Sequence, residues 1–188
     1  MDAADMAGLH IIQLVHENVA AATMFGIDRM DTDKPLTVLL YNMGGKDTEV
    51  TVARFSAIAD EKNKTFEYIE IMGEAWDENL GGADFDKVIV EMLAEAFNAL
   101  PERQGKPDIR KNEKAMKRLF SQSVNVKDIL SANKLADVKI PDLLDKITLK
   151  TVLARSDFEA RSDSIIQKVT APIDKALEHA NLTIADID

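Results

Sequence analysis

The stretch from Leu36 to Val50, LTVLLYNMGGKDTEV, joins two β-type segments through the adjacent glycines Gly44 and Gly45. Glycines directly after a strand let unobstructed backbone N–H groups approach an anion, and phosphate is the usual anion at such turns. The same residues also suit an ordinary hairpin turn that needs positive φ. Short glycine motifs have a high false-positive rate, so the turn alone favours the structural interpretation.

Composition restricts the class of protein. The chain has 188 residues, of which 46% are hydrophobic, and this suits one globular domain or one domain with a small appendage. Its net charge of −10 argues against DNA, RNA or anionic membranes as partners, because these recruit basic patches. The lack of cysteine excludes disulfides and thiolate sites. No signal-peptide pattern and no apolar run of bilayer length is found.

The first half of the sequence predicts one helix and a small sheet. An unbroken apolar run at 36–42 predicts a central strand that is buried on both faces. Segments 49–58 and 65–72 predict two strands that pair antiparallel and complete a three-stranded meander, followed by a loop at 73–82. Apolar residues at helical spacing predict an amphipathic helix that ends at Gly26, and these residues are Met6, Leu9, Ile12, Val15 and Val19.

The second half predicts further helices around a short hairpin. A strong apolar stripe predicts a helix over 85–100 that packs on the sheet, and another helix is predicted over 112–131. Segments 135–140 and 145–153 predict two strands joined near Pro141.

The C-terminal segment carries two helix-start signals. Ser156 with Glu159 three residues later predicts a capping box, and Pro172 predicts the first turn of a last helix. The chain stops soon after that helix, where an α/β arrangement usually supplies another strand, so we expect it to be part of a longer protein.

A second glycine pair, Gly81 and Gly82, precedes the helix predicted at 85–100. It either places an anion at the helix N-terminus or forms a tight loop that lets the helix approach the sheet closely. Asp84 and Asp86 lie in the first turn, where carboxylates favour the helix dipole, so capping is their default interpretation.

The remaining polar candidates are weaker. The histidines do not converge in the sequence and argue against a metal site; they are His10, His16 and His179. One stripe of the helix at 112–131 suits either a ligand or the rim of the core, and it carries Val124, Lys127 and Ser131.

The order of these segments resembles the second lobe of the nucleotide-binding domain of the seventy-kilodalton heat-shock chaperone family, over essentially all of the chain. Two features are similar to the large endoplasmic-reticulum branch of glucose-regulated or hypoxia-upregulated chaperones: Glu17-Asn18, where most of that family has Glu-Pro, and the segment Leu130–Asn133. The segments that carry the resemblance are Ala20–Ala22 with Gly26, Tyr41–Gly45, Leu80–Asp86 (LGGADFD), Lys127, Leu130–Asn133 (LSAN) and Phe158-Glu159.

The resemblance implies an α/β fold, namely an actin-like (ribonuclease H-like) ATPase lobe with a small inserted α+β subdomain. It implies a sheet subdomain beginning at 1–105, an inserted upper subdomain at 106–154 and return helices at 155–188. The chain is then a fragment of a larger ATPase domain, whose two lobes close around Mg-ATP.

The resemblance also implies a nucleotide site. In the family the first glycine turn holds the β- and γ-phosphates through backbone amides, and a later helix contacts ribose and adenine. Mg²⁺ arrives with ATP or ADP in the full-length parent, no residue is a direct metal ligand, and tight binding to this chain alone is not expected. The implied nucleotide-binding residues are Gly44, Gly45, Lys46, Gly81, Gly82, Lys127 and Ser131.

Several positions depart from the family pattern. Asn42 and Glu49 each stand where the family has Asp, and an amide can neither act as a base nor bind a divalent cation as well as a carboxylate. No residue is therefore assigned as catalytic, slow or absent turnover is expected, and whether the parent is a weak ATPase stays open. The other departures are Lys46 and Asp47 in the turn and Val124 and Asp128 on the helix.

Two functions follow as hypotheses. The first is a stress chaperone that binds ATP or ADP with weak hydrolysis, helps proteins fold, and acts as co-chaperone or nucleotide exchange factor. Its partners are the rest of the nucleotide-binding domain, the substrate-binding domain, a smaller chaperone of the family and unfolded polypeptides. The alternative is a non-enzymatic actin-like interaction scaffold; a polymerising actin-like protein or a sugar kinase is a third hypothesis. Location in the endoplasmic reticulum lumen rests on the resemblance, with the cytoplasm as alternative, although Asn181-Leu182-Thr183 is a glycosylation sequon.

Overall fold

The computed structural model describes residues 2–26, 29, 34–59 and 65–188. The chain forms two compact units. The first, here called the sheet unit, comprises Met1–Asn42, Thr48–Asp77 and Thr170–Asp188. The second, here called the hairpin unit, comprises Met43–Asp47 and Glu78–Val169.

The elements of the described residues follow one another in a simple order. Short 3-10 helices lie at Pro101–Arg103, Ile109–Lys111 and Ile184–Asp186. The α-helices and β-strands are α1 (Asp2–Met6), α2 (Glu17–Gly26), β1 (Leu36–Met43), β2 (Thr48–Ala59), β3 (Thr65–Asp77), α3 (Gly82–Asn98), α4 (Glu113–Ala132), β4 (Leu135–Leu144), β5 (Ile147–Ala154), α5 (Arg155–Ile166) and α6 (Ala171–Ala180).

The sheet unit contains the predicted three-stranded meander, in the order β1-β2-β3. Strands β2 and β3 pair antiparallel, with a register shift at Val52/Ala53 that leaves Met72 of β3 as the extra residue. The predicted loop at 73–82 is shorter, because β3 continues to Asp77.

The prediction that β1 is a central strand is wrong, although its two faces both pack against a core. In the described part of the chain β2 is central and β1 lies at an edge. Its apolar residues are half-buried, and only Thr37 is fully buried. Asp188 meets this edge: its N–H donates to the Thr37 carbonyl, and its carboxylate accepts from the Thr37 N–H, both at 2.9 Å.

One helix packs on each face of the sheet. α2 contributes Ala22 to a core with Ala53 and Phe55, whereas α6 packs against Val50, Val52 and Ala75 on the other face. The α6 contact is close at Gly73, where a Cβ atom would lie 2.3 Å from the carbonyl oxygen of Ala176.

The predicted amphipathic helix from Met6 to Gly26 is confirmed only in its last part, which ends at Gly26, and is wrong before Glu17. α1 ends at Met6, residues 7–16 are irregular, and α2 begins only at Glu17. Leu9 is 62% and Ile12 is 94% exposed. Most helical stability comes from burying the apolar face, and in the described residues this face is not buried.

The hairpin unit has its own core, formed by α3, α4, β4 and β5. The sequence predicts that α3 packs on the three-stranded sheet, but its buried residues join this core instead. The unit starts at Glu78 and ends at Val169, which differs from the sequence boundaries at 105 and 154. The family-based subdomain division stays a prediction. The main α3 residues in the core are Ile89, Leu93 and Phe97.

Strands β4 and β5 pair antiparallel around Asp145 and Lys146, which both have positive φ, as a two-residue hairpin turn of type I′ requires. The predicted position of this junction near Pro141 is wrong, because Pro141 lies in an irregular part of β4 between Ile140 and Leu144. The described helices are all too short or too polar to cross a bilayer.

The two helix-start signals had different outcomes. The capping box predicted from Ser156 is wrong, because α5 begins at Arg155 and places Ser156 inside the helix. Pro172 lies in the first turn of α6 as predicted, since a missing N–H is tolerated there.

Candidate functional site

The Gly44-Gly45 turn is fixed by the first residues of α3. The N–H of Gly82 donates to the carbonyl of Gly44 at 2.9 Å, and the N–H of Ala83 donates to the carbonyl of Gly45 at 2.7 Å. The turn is closed by a 2.8 Å bond from the Gly44 N–H to the Asp47 carbonyl. The structure therefore brings together the two glycine pairs that the sequence singled out.

Positive φ does not explain the glycines of this turn. Gly44 and Gly45 lie in the turn that joins the neighbouring strands β1 and β2, but among the described glycines only Gly8 and Gly105 have positive φ, so the positive φ expected at this hairpin turn is wrong. A Cβ atom on Gly45 would meet nothing within 4 Å. The space beside Gly45 is open to a ligand.

Gly81 is explained by close approach. Its φ of −160° is an ordinary extended value, yet a Cβ atom would lie 2.6 Å from the carbonyl carbon of Lys46 and 2.7 Å from that of Gly45. These are backbone atoms and cannot rotate away. Gly81 therefore lets the Gly44-Gly45 turn, rather than the sheet, lie against the start of α3.

The N-terminus of α3 is not itself open to an anion. The first orphan N–H groups of a helix normally attract anions. Here those of Gly82 and Ala83 are used by the turn, and that of Asp84 donates to the Gly81 carbonyl at 3.0 Å. The interpretation of Gly81-Gly82 as a direct anion site is therefore not supported by this geometry.

The N–H groups at the start of α3 instead polarise the peptides of the Gly44-Gly45 turn. The carbonyl and N–H of a trans peptide point in opposite directions, so the N–H groups of Gly45 and Lys46 point away from the α3 amides that bind the carbonyls of Gly44 and Gly45. Neither N–H donates to an acceptor in the part of the chain that the structure describes. Hydrogen bonds polarise one another, which makes these two N–H groups stronger donors.

The two aspartates at the start of α3 have different roles. The Asp84 carboxylate accepts from the Gly81 N–H at 3.0 Å and from the Lys87 ammonium at 2.8 Å. The hydrogen bond from Lys87 is the main cause that lowers the pKa of Asp84, with the Gly81 amide adding to it. Capping is confirmed for Asp84.

Asp86 does not cap the helix. It is buried, with 6% of its surface exposed, and its Oδ1 lies 2.8 Å from the Nζ of Lys127 on α4. The same Nζ donates to the Gly82 carbonyl at 3.2 Å. Sequence reasoning missed this pair, although Asp86 stands three and four residues before the buried Ile89 and Val90, which is the signal of a carboxylate on the buried face.

The other members of the α4 stripe face solvent. Val124 is 41% exposed, and Asp128 and Ser131 are exposed beside it. The Ser131 hydroxyl donates to the Asp128 carbonyl at 2.6 Å. The helix buries the opposite stripe, including Val126 and Leu130. The exposed stripe with Val124 and Ser131 is therefore available to a ligand, and Lys127 lies at its partly buried margin.

The sheet unit carries a separate polar group of residues. The side-chain amide of Asn42 donates to the Glu17 carboxylate at 2.8 Å. Glu17 and Glu49 line an open groove of about 400 Å³ together with Leu14, Val15 and His16. The sequence singled out Asn42 and Glu49 as site positions. It gave Glu17 no role in the site, because the Glu17-Asn18 dipeptide indicates only the branch of the family. The buried Asn18 beside it donates to the Thr51 hydroxyl at 3.2 Å.

The histidines lie apart. His10 and His16 are in the irregular segment, and the Nδ1 of His179 donates to the Glu74 carbonyl at 2.8 Å. Within the described ranges no group of three or more His, Asp or Glu side chains is placed to hold a metal ion.

Comparisons with known proteins assign the family. A family model described as "Hsp70 protein" matches residues 1–188. The chain is 31% identical over 190 residues to Hypoxia up-regulated protein 1 of Xenopus laevis, covering 100% of this chain and 29% of that protein. It is 35% identical over 189 residues to Heat shock 70 kDa protein 14 of Arabidopsis thaliana, covering 100% of this chain and 21% of that protein.

A third relative is a heat shock protein homolog of Lachancea kluyveri, which is 31% identical over 191 residues, covering 100% of this chain and 26% of that protein. The chain thus spans less than a third of the length of these relatives. The resemblance drawn from the sequence is confirmed, including its likeness to the hypoxia up-regulated proteins. The chain belongs to the Hsp70 family and corresponds to part of the actin-like nucleotide-binding domain of that family.

Proposed function

We propose that this chain supplies one face of a nucleotide site, in which the turn from Gly44 to Lys46 binds the β- and γ-phosphates of ATP or ADP. The observation that carries the proposal is the pair of N–H groups on Gly45 and Lys46, which have no acceptor in the described residues and are backed by the α3 amides. The open space beside Gly45 gives a phosphate room to approach. The Lys46 side chain adds a positive charge at the same turn.

The nucleoside side of the site is α4. Its exposed stripe offers the Ser131 hydroxyl and the apolar surface of Val124 to ribose and base. Asp128 replaces the arginine that stacks on adenine in the family, so the base is held less firmly. Nucleotide binding then depends on the phosphates more than on adenine.

We further propose that the longer protein hydrolyses ATP slowly. The Asn42 amide is engaged with Glu17 and, as an amide, cannot take up a proton from an attacking water. One carboxylate fewer also weakens the binding of Mg²⁺ that accompanies ATP. Binding nucleotide and releasing it unchanged suits the role of a co-chaperone. Such a protein exchanges nucleotide on a smaller family member and holds unfolded polypeptides. We place it in the endoplasmic reticulum lumen, on its likeness to the hypoxia up-regulated proteins.

The phosphate site is tested on this chain by amide NMR. Titration with ADP and with inorganic pyrophosphate is expected to shift the Gly45 and Lys46 amide signals. The matched control is Gly45→Ala, which places a methyl group in the open space and should weaken both ligands several-fold while leaving the melting temperature unchanged. If neither ligand shifts these amides at millimolar concentration, the scaffold function is favoured.

Hydrolysis is tested in the longer protein. Asn42→Asp restores a carboxylate at this position and is expected to raise ATP turnover. Turnover that is unchanged although nucleotide still binds would show that Asn42 does not limit hydrolysis. Cell fractionation with an antiserum to the chain separates the lumenal from the cytoplasmic location.

A further inference from the structure

We propose that Asn181, the first residue of the sequon Asn181-Leu182-Thr183, carries an N-linked oligosaccharide. This modification is made in the endoplasmic reticulum lumen, so the proposal rests on the location given under the proposed function. It is independent of the nucleotide site, and it assigns a modified residue to the surface of the sheet unit.

The side chain of Asn181 is free to carry such a group. Asn181 is the C-cap of α6, with a left-handed φ of 54° and ψ of 40°, a conformation that asparagine tolerates better than most residues. The residue is exposed, and its side-chain amide makes no hydrogen bond with the residues that the structure describes. The cap uses the backbone, since the Asn181 N–H donates to the Glu178 carbonyl at 3.0 Å. A sugar on the Asn181 Nδ2 atom therefore displaces no hydrogen bond of the described fold.

The three residues of the sequon alternate between solvent and core. Leu182 is partly buried and packs against the core between the sheet and α6, whereas Asn181 and Thr183 are exposed on either side of it. The Leu182 N–H donates to the Leu177 carbonyl at 3.0 Å, which fixes the backbone of this turn. The two residues that define the sequon are therefore held at the surface, where a bulky and hydrophilic group is accommodated.

Thr183 also has a contact in the folded chain. Its hydroxyl and its N–H donate to the carboxylate of Asp186, at 2.7 Å and 2.8 Å, at the start of the last 3-10 helix. Oligosaccharide transfer takes place on the chain as it enters the lumen, before these bonds form. The contact with Asp186 therefore does not compete with recognition of the threonine hydroxyl.

The transfer forms one bond and breaks one. The donor is an oligosaccharide that is linked to a lipid through pyrophosphate. The Asn181 Nδ2 atom bonds to C1 of the first sugar and loses one proton. The bond from C1 to the pyrophosphate oxygen breaks, and its electron pair leaves with the lipid pyrophosphate, so nothing is oxidised or reduced.

The first experiment directs the chain, behind an added cleavable secretion signal, into endoplasmic reticulum microsomes. A second sequon begins at Asn63, outside the described residues, so the chain carries Asn63→Gln and only Asn181 is read. Removal of the signal reports entry into the lumen. We expect a single mobility shift that peptide N-glycosidase reverses. A chain that loses its signal but shows no such shift would overturn the proposal.

Substitutions in the sequon give the matched controls. Thr183→Ala destroys the sequon and should abolish the shift, whereas Thr183→Ser keeps a hydroxyl and should retain it. Asn181→Asp should also abolish the shift, and aspartate tolerates the left-handed conformation of this C-cap. Because transfer precedes folding, each result can be read even if a variant folds poorly. A shift that survives Thr183→Ala and Asn181→Asp would place the sugar elsewhere and overturn the assignment.

The second experiment uses the longer protein from its own cells. Mass spectrometry of the peptide that contains Asn181 should detect the sugar, and treatment with peptide N-glycosidase should remove it. A protein that fractionates with the lumen but has an unmodified Asn181 would overturn this proposal and leave the proposed function standing. An unmodified protein in the cytoplasmic fraction would overturn both the modification and the proposed location.

Discussion

The side-chain amide of Asn42 and the carboxylate of Glu17 are joined by a 2.8 Å hydrogen bond, across 25 positions of the sequence. The bond connects the end of β1 with the first residue of α2. A neutral donor at position 42 satisfies the glutamate, whereas an aspartate there would place two carboxylates in contact. The side chain of Asn42 at the end of β1 is therefore held by a side chain of α2.

We expect Asn42→Asp to destabilise the chain at neutral pH and low salt. Two like charges near 4 Å repel by about 1 kcal/mol in water, and this loss should shrink in 1 M salt, where screening acts within about 3 Å. Urea unfolding at both salt concentrations measures it. Asn42→Ala is the control, since it removes the hydrogen bond without adding a charge. A loss that is the same at both salt concentrations would exclude repulsion.

Gly81→Ala should destabilise the hairpin unit, because the added methyl group meets the backbone of Lys46 and Gly45 at 2.6–2.7 Å. Overpacking of this kind costs about 1–3 kcal/mol. Thermal unfolding measures the loss, and the amide signals of Gly45 and Lys46 should shift as the turn moves. Gly45→Ala is the matched control and should unfold like the unmodified chain. Equal melting temperatures for both variants would contradict the close-approach argument.

Much of the secondary structure could be predicted from local patterns. α3 and α4 have long, regular apolar stripes, and β2 and β3 are rich in β-branched and aromatic residues, so their existence is determined locally. The predictions that failed depend on tertiary packing, which local patterns do not show. The apolar spacing from Met6 to Val15 is helical, but the described fold leaves these residues exposed. The apolar run of β1 gave no indication of an edge position, because its two faces are both packed.

The candidate site was predictable in its residues but not in its contacts. The glycine pairs identified the turn and the start of α3, yet the sequence could not show that the α3 amides bind the carbonyls of Gly44 and Gly45. It likewise assigned Asp86 to capping and Lys127 to a ligand-facing stripe. Only the packing of α3 on α4 pairs these two charges, through side chains 41 positions apart.

Asp84→Asn should alter the acid sensitivity of the chain. The Lys87 ammonium and the Gly81 amide hold the pKa of Asp84 below its ordinary value. A lowered pKa in the folded state means that this carboxylate stabilises the fold above its unfolded pKa, near about 4, and loses the effect as pH falls through the folded value. The variant should be less stable by about 0.5–1 kcal/mol at pH 7, with no difference from the unmodified chain near pH 2. Urea unfolding across this pH range measures the difference in unfolding free energy between the variant and the unmodified chain. When Lys87 is also replaced by Met, this difference should shrink only in part, because the Gly81 amide still donates to Asp84. A difference that persists at pH 2 would contradict the assignment.

Arg118→Met should loosen the irregular part of β4. The guanidinium of Arg118 donates to three successive carbonyls, those of Pro141 at 2.6 Å, Asp142 at 2.5 Å and Leu143 at 3.3 Å. The strand leaves its regular pairing here and Asp142 has positive φ, so these carbonyls depend on the arginine. Hydrogen bonds to a charged group contribute about 1.5–3 kcal/mol, and faster amide exchange is expected from Asp142 to Leu144. Lys117→Met removes the same charge from the exposed neighbouring position of α4, so a similar effect in both variants would attribute the change to net charge rather than to these contacts.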